Sequence, residues 1–197
     1  MDLTLLKKSF HYRDIDWRIG RVTDEIKGIA SVLAYIDVRA LYQKFDDACG
    51  VNGWQITYPH VGQKTCCEIS VLIGDRWVTK SNGAGDTAVE GDKGAFSDAA
   101  KRAGVPWGVG RYLYDMPDIK VSVKKVGRNY YIEKEEYPKL NKLATMMGKL
   151  NDLETIQQFN DIVPELKEYK ETLDWNTKYQ FEQYGAKVKE LLGGKLI

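Results

Sequence analysis

An adjacent lysine and arginine, Lys101 and Arg102, form the most chemically suggestive pair in this 197-residue sequence. They lie in the stretch 91–115, which reads GDKGAFSDAAKRAGVPWGVGRYLYD. On a helix, Lys93 and Lys101 would share one face, because positions four and eight apart are stacked. Such a cationic ridge can hold phosphate groups. The alternative is an ordinary solvated face, in which Arg102 pairs with Asp98 one turn earlier.

A second group of cations alternates with aromatic residues in the run FHYRDIDWRIGRV. Arg13, Arg18 and Arg21 are interleaved there with Tyr12 and Trp17. Guanidinium groups beside aromatic rings suit phosphate contact and stacking. A surface arm whose arginines form ordinary ion pairs with the neighbouring aspartates explains the same pattern.

A third group of cations lies on a predicted hairpin after residue 118. The runs IKVSVKKV and NYYIEKE flank a Gly127-Arg128 turn. This hairpin carries Lys120, Lys124, Lys125 and Arg128, which makes it a second candidate contact for a polyanion. An edge strand that lysines protect from aggregation is the alternative.

The sequence offers little support for catalysis or for a bound cofactor. Its Gly108-Val109-Gly110 run lacks the third glycine of a dinucleotide site, and no GxxxxGK[ST] motif occurs. The three cysteines and two histidines lack the spacing of a zinc site. One catalytic alternative remains, a metal-dependent nuclease whose carboxylates hold Mg²⁺. Its residues would be Asp86, Glu90, Asp92 and Lys93.

The elements that position these cations follow from hydrophobic spacing. Asp37 as N-cap, apolar residues at helical spacing and Gly50 as stop predict a helix over 38–49, with Arg39 off its apolar stripe. Strand patterns follow at 54–61, 65–73 and 76–81, and then a helix with a narrow alanine stripe. We therefore predict an α+β fold, in which an antiparallel β-meander packs on a long helix (β-β-β-α core).

Beyond residue 137 the pattern becomes purely helical. Pro138 opens one predicted helix and Pro164 another. We expect residues 1–136 to form a core with an N-terminal arm and the basic hairpin, and residues 137–197 to form a C-terminal all-helical module.

Composition limits the partners and the compartment. The net charge is only +1, but residues 119–150 carry +5 and residues 151–197 carry −3. A polyanion partner is compatible with this distribution without being required by it. No apolar run approaches the roughly 20 residues that span a bilayer, and the N-terminus lacks a signal-peptide pattern. We expect a soluble cytoplasmic protein with no membrane contact.

Three runs, in order, resemble the annealing domain of the Rad52 superfamily, especially its phage and bacterial single-strand annealing members. They are AYIDVRALYQKFDDACGVNGW, TCCEISVLIGDRWVTK and EGDKGAFSDAAKRAGVPWGVGRYLYD. The resemblance covers roughly residues 10–116. The NGW after the helix and the GAFSDAAKRA segment ending in GRYLYD are its most specific parts. Pro106 departs from the family, so we expect the helix to kink or restart near Trp107.

This resemblance implies copies assembled side by side into rings or arcs, with single-stranded DNA in a groove around the outside. Family residues that hold the strand match Lys101, Arg102 and Arg18, and Arg39 matches a basic family position. Annealing is downhill once bases meet, so such a protein needs no ATP and no cofactor.

The leading hypothesis is therefore a non-enzymatic, homo-oligomeric single-strand annealing protein of recombination and repair. It would act in the cytoplasm, in a bacterial host cell if phage-encoded. Its acidic helical module could contact a single-strand-binding protein. The alternatives are the metal-dependent nuclease and a helical adaptor whose DNA contact is incidental. The DNA-binding residues expected under the leading hypothesis are Lys101, Arg102, Arg18, Arg39, Lys93, Arg21, Lys124, Lys125 and Arg128.

Overall fold

The computed structural model describes residues 1–61, 64–83 and 92–193. These residues form two compact units. The first unit consists of Met1–Lys8 and Ile36–Arg111, and the second of Ser9–Tyr35 and the chain from Tyr112 onward. The boundary after residue 136 that the sequence suggested remains a prediction.

Eight strands and five α-helices lie within the described residues. The strands are β1 (Ile15–Asp24), β2 (Ile29–Ile36), β3 (Trp54–Thr57), β4 (His60–Val61), β5 (Lys64–Ile73), β6 (Arg76–Gly83), β7 (Lys120–Val126) and β8 (Asn129–Ile132). The helices are α1 (Val38–Cys49), α2 (Asp92–Gly104), α3 (Tyr137–Asn151), α4 (Ile156–Lys170) and α5 (Trp175–Gly193). Short 3₁₀ helices fill several connections, among them Leu3–Lys7 and Val105–Trp107.

The first unit is an antiparallel sheet built around β5. Strands β3 and β4 pair with one side of β5, and β6 pairs with the other along eight residue pairs. Helix α2 packs on β5 and β6. Ile69 and Val71 on β5 are fully buried, as are Ala99 and Ala103 on α2. The predicted α+β class and the meander on a helix are confirmed.

Local capping explains where α1 begins and ends. The Asp37 carboxylate accepts a hydrogen bond from the Arg39 backbone N–H at 2.8 Å, which satisfies an otherwise unpaired donor of the first turn. At the other end Gly50 adopts a φ of 74° and donates its N–H to the Asp46 carbonyl. Both predicted boundaries of this helix are confirmed.

Small residues allow α2 to approach α1 closely. A Cβ on Gly104 would overlap Leu41 Cδ1, and Leu41 is fully buried. Helix α2 ends at this glycine, and the 3₁₀ turn with Pro106 follows at once. The predicted restart near Trp107 is confirmed, because proline has no N–H with which to continue the helical ladder.

The second unit contains a four-stranded sheet in the order β1-β2-β7-β8. Ala30 on β2 lies opposite Val121 on β7, and both are buried. Ile15 and Trp17 on β1 are also buried. One face of this sheet is therefore apolar, as expected for a sheet with one face in a core.

The predicted surface arm is wrong, because Ile15–Asp24 forms strand β1. The run IDWRI alternates apolar and polar residues, and Ile15 and Trp17 turn into the core while Asp16 and Arg18 remain exposed. Among the described residues, no ion pair joins Arg18 or Arg21 to an acidic side chain. The prediction failed because it considered only the polar residues of this segment. Their alternation with apolar residues is the pattern of a half-buried strand.

Helices α3 to α5 confirm the predicted helical C-terminal region. Pro138 lies in the first turn of α3, as expected. Pro164, however, lies inside α4 instead of at a helix start. Helix α4 begins eight positions earlier with a capping box formed by Thr155 and Gln158, and it continues past the proline at the loss of one backbone hydrogen bond. No helix in the described ranges is long and apolar enough to cross a membrane.

Candidate nucleic-acid interface

The last turn of α2 presents Lys101 and Arg102 on the side opposite its buried alanines. Arg102 is half-exposed, and its Nε lies 2.8 Å from Asp98 Oδ2, which confirms the predicted pairing one turn apart. Lys101 is partly buried. The Asn82 side chain donates to the Arg102 carbonyl at 3.3 Å, which joins this turn to β6. The two cations therefore project from a helix end that is held in place.

Two further cations, which sequence reasoning missed, surround the carbonyls that follow α2. Lys80 Nζ donates to the Pro106 carbonyl at 2.9 Å and lies 4.3 Å from the centre of the Trp107 ring. Arg111 donates to the carbonyls of Val105 and Pro106. Cations are favourable at a helix C-terminus because carbonyl oxygens there lack intrahelical partners. No local sequence signal pairs Lys80 with a residue 26 positions away.

We expect Lys80 to stabilise the folded state. Replacing it by alanine removes a hydrogen bond and a cation-π contact, and should lower the free energy of unfolding by about 1–2 kcal/mol. Urea denaturation followed by circular dichroism measures this loss. Lys80→Met keeps the aliphatic stem and should recover part of it; equal stability of all three proteins would contradict this role.

Arg39 is exposed in the first turn of α1. A cation there faces the positive end of the helix dipole, which is an unfavourable position for stability. The structure places Lys93 in the first turn of α2 and does not describe its side chain. Its predicted role remains a prediction.

In the second unit, strand alternation divides the predicted basic hairpin between two faces. Lys124 lies opposite Tyr131, and Lys125 lies opposite Tyr130. Lys125 Nζ is 5.1 Å from the centre of the Tyr130 ring, and the proximity of this tyrosine raises the pKa of the lysine. Arg128 is exposed in the turn. The hairpin cations therefore do not form one patch.

Arg18 and Arg21 are both exposed on β1 although they are three residues apart. The burial pattern of this strand changes phase after Ile19, so that Gly20 and Arg21 are consecutive exposed positions. A Cβ on Gly20 would lie 3.1 Å from Leu33 Cγ, which places Gly20 on the same face as Leu33. Arg18 shares that face, because residues two apart on a strand point the same way.

Within the described residues, the structure shows no metal site that a nuclease could use. No three His, Cys, Asp or Glu side chains are grouped there so that they could hold an ion. Two of the three predicted carboxylates, Asp86 and Glu90, lie outside the described residues. Cys67 is fully buried, and burial raises the pKa of its thiol to about 12, so it is no nucleophile at neutral pH.

A comparison of the sequence with known families identifies the family of this chain. The pattern of the Rad52/22 family of double-strand break repair proteins matches residues 3–132. This chain belongs to that family. The match confirms the resemblance found in the motifs and extends it through β7 and β8 to the end of the basic hairpin.

Two curated proteins similar to this Rad52/22 family member come from Deinococcus. Each is called single-stranded DNA-binding protein DdrA. The Deinococcus deserti protein is 32% identical over 126 residues, which cover 57% of this chain and 56% of that protein. The Deinococcus radiodurans protein is 29% identical over 114 residues, which cover 57% of this chain and 54% of that protein. The chain spans about half the length of these relatives. No solved structure matches it significantly.

Proposed function

We propose that this protein binds single-stranded DNA and anneals complementary strands in DNA repair and recombination. The observation that supports this most is the Lys101-Arg102 pair, with Arg102 exposed and Lys101 partly buried, at the end of a helix that is anchored to its own sheet. Membership of the Rad52/22 family and the DNA-binding relatives support the same conclusion. Arg18 and Lys124 are exposed cations of the second unit that would contribute.

The physical requirements of annealing fit this role. Base pairing itself supplies the free energy, so the protein has to neutralise phosphates and leave base edges accessible. Neither step needs a nucleotide cofactor or a covalent intermediate. We propose that the protein is not an enzyme, that it acts in the cytoplasm, and that it works as a homo-oligomeric ring or arc. An oligomer would align one cationic helix end from each copy along a continuous strand.

A fluorescence annealing assay tests this proposal. Two complementary strands, one with a donor dye and one with an acceptor dye, should pair faster with the protein than without it, in EDTA and without ATP. Heat-denatured protein is the control. Strand cleavage that requires Mg²⁺ would favour the nuclease instead, and no effect on either reaction would contradict both.

Removing the carboxylate beside Arg102 should strengthen DNA binding. Asp98→Asn keeps the size of the side chain but frees the guanidinium and removes one negative charge next to the cationic pair. Because an exposed pair at this distance is worth about 1 kcal/mol or less, we expect a two- to fivefold gain in affinity. Fluorescence anisotropy with labelled single strands measures it. Glu168→Gln, an exposed change in the acidic tail, should have no effect; a loss of affinity in Asp98→Asn would oppose the assignment.

A second candidate function, a protein adaptor, is favoured by an aromatic pair on α5. Trp175 is 79% exposed and Tyr179 51% exposed. Their rings stack with centroids 5.9 Å apart. Exposed tryptophan and tyrosine are typical anchors of protein interfaces, and the C-terminal region is acidic, which disfavours DNA there. We propose that this pair contacts a partner protein, for which a single-strand-binding protein is our first candidate.

Isothermal titration calorimetry tests the adaptor role. Purified single-strand-binding protein should bind the wild type and lose at least tenfold in affinity for Trp175→Ala, as for an interface anchor. Annealing of bare strands should stay unchanged. Equal binding by both proteins would exclude the aromatic pair as the contact.

A further inference from the structure

The second sheet has a face that is polar, aromatic and exposed, opposite its apolar face. We define this open face by Arg18, Leu33, Lys120, Lys124 and Tyr131. The register establishes its membership: Ser31 lies opposite Lys120, and Lys124 lies opposite Tyr131. Directly opposed residues of antiparallel strands point to the same side, and residues two apart along a strand do so too. Leu33 and Arg18 join the face through Ser31 and Gly20, respectively.

Exposure separates the two faces. Tyr131 is 55% exposed and Leu33 is 50% exposed, whereas Val121 and Val123 on the other side of β7 are buried. The three basic side chains of the open face are exposed as well. Tyr131 therefore presents its ring to solvent beside the ammonium-bearing chain of Lys124, whose Cβ lies roughly 5 Å away by strand geometry.

The charges on this face indicate which kind of molecule binds there. Three cations stand against two carboxylates within the strands, one at each end of β1. Asp16 shares the face of Arg18, and Asp24 pairs with Lys27 at 3.7 Å. A protein partner would require a contiguous apolar patch. The large exposed apolar side chains of this face are Leu33, Val126 and Tyr131, and Lys120 and Lys124 of β7 lie among them. An aromatic ring flanked by cations on an open sheet is the arrangement that holds a single strand, through base stacking and phosphate contact.

We propose that Tyr131 stacks on a base of single-stranded DNA while Lys124 and Lys120 contact the adjoining phosphates. This inference rests on the proposed function, because it assumes that the protein binds single strands. It adds a base-stacking contact to the phosphate contacts that the proposed function assigns to the basic side chains. It also assigns different roles to neighbouring lysines, since Lys125 lies against Tyr130 on the other face.

Binding of a fluorescein-labelled oligothymidylate, measured by anisotropy at several salt concentrations, tests this site. Tyr131→Ala should weaken binding about tenfold, a typical loss for one stacked base, and leave the slope of log K against log salt unchanged. Tyr131→Phe should bind like the wild type, because it keeps the ring. Lys124→Ala should instead reduce the magnitude of the slope by about 0.7. Tyr114→Ala, an exposed tyrosine in the 3₁₀ helix Arg111–Asp115, is the matched control.

The outcomes separate this inference from the proposed function. If the wild type does not bind the oligonucleotide, both fail. If the wild type binds and Tyr131→Ala binds equally well, the stacking site alone is overturned. An equal loss in Tyr131→Phe and Tyr131→Ala would also overturn stacking, since it would assign the effect to the hydroxyl. Circular dichroism of each variant establishes that it is folded, and the phenylalanine variant remains informative if the alanine variant is unstable.

Discussion

Replacing both Lys101 and Arg102 by alanine is expected to weaken binding of single-stranded DNA roughly 25-fold at 0.1 M salt. Each phosphate contact on a single strand contributes a slope of about −0.7 to log K against log salt. Two lost contacts reduce the slope by about 1.4, which at 0.1 M salt corresponds to the stated loss when the electrostatic contribution is taken to vanish near 1 M. Anisotropy titrations over about 50–200 mM salt measure both quantities.

The structure provides a matched control for this double variant. Lys167 and Lys189 are exposed on α4 and α5, in the acidic part of the chain, and replacing both by alanine changes the net charge equally. Their loss should leave the slope unchanged. Stability should change little in Arg102→Ala, because exposed pairs one helical turn apart are worth only about 0.5 kcal/mol. An unchanged slope in the Lys101 and Arg102 double variant would remove this helix end from the interface.

Gly53→Ala should lower the free energy of unfolding by about 3 kcal/mol, the largest stability effect that we predict. A Cβ on Gly53 would overlap the carbonyl oxygen of Cys49 at the end of α1. The backbone cannot move aside easily, since the Gly53 N–H donates to the Gly50 carbonyl and its own carbonyl accepts from Leu72. Overpacking against rigid backbone costs about this much. Urea denaturation monitored by tryptophan fluorescence measures the change.

Gly74→Ala is the control for Gly53→Ala. Gly74 has a φ of +64° in the turn between β5 and β6, but nothing lies within 4 Å of its added Cβ. Its replacement should cost only the strain of the left-handed conformation, about 1 kcal/mol. If both variants lose the same stability, steric overlap at Gly53 is not the cause.

The same contact gives a physical reason for the NGW motif that first suggested the family. Gly53 permits the chain to turn tightly under α1, and the next residue, Trp54, stacks on Phe45 at 5.0 Å and donates its Nε1 to Asp46 at 2.7 Å. The motif therefore joins helix α1 to strand β3, and the role that these contacts give it is structural.

Local patterns were sufficient to predict most elements of the first unit. Caps at Asp37 and Gly50, the Gly74 turn and the alternation along β5 act over a few residues, so they can be read without tertiary information. The same holds for the adjacency of Lys101 and Arg102 on one helix end. The prediction of an arm failed because it lacked tertiary information. The segment of Arg18 becomes a strand only by pairing with β2.

Tertiary structure alone decided which side chains share a surface. Strand register separated Lys124 from its neighbour Lys125 and placed it beside Tyr131, and long-range packing brought Lys80 to the carbonyl of Pro106. Cross-strand pairs depend on the register, because a slip of one residue moves every side chain of a strand to the opposite face of the sheet. The sequence by itself determined the family, the fold class and the cationic helix end, since these rest on local spacing. The open face of the second sheet exists only once the strand pairs β1-β2 and β7-β8, which are distant in sequence, are aligned.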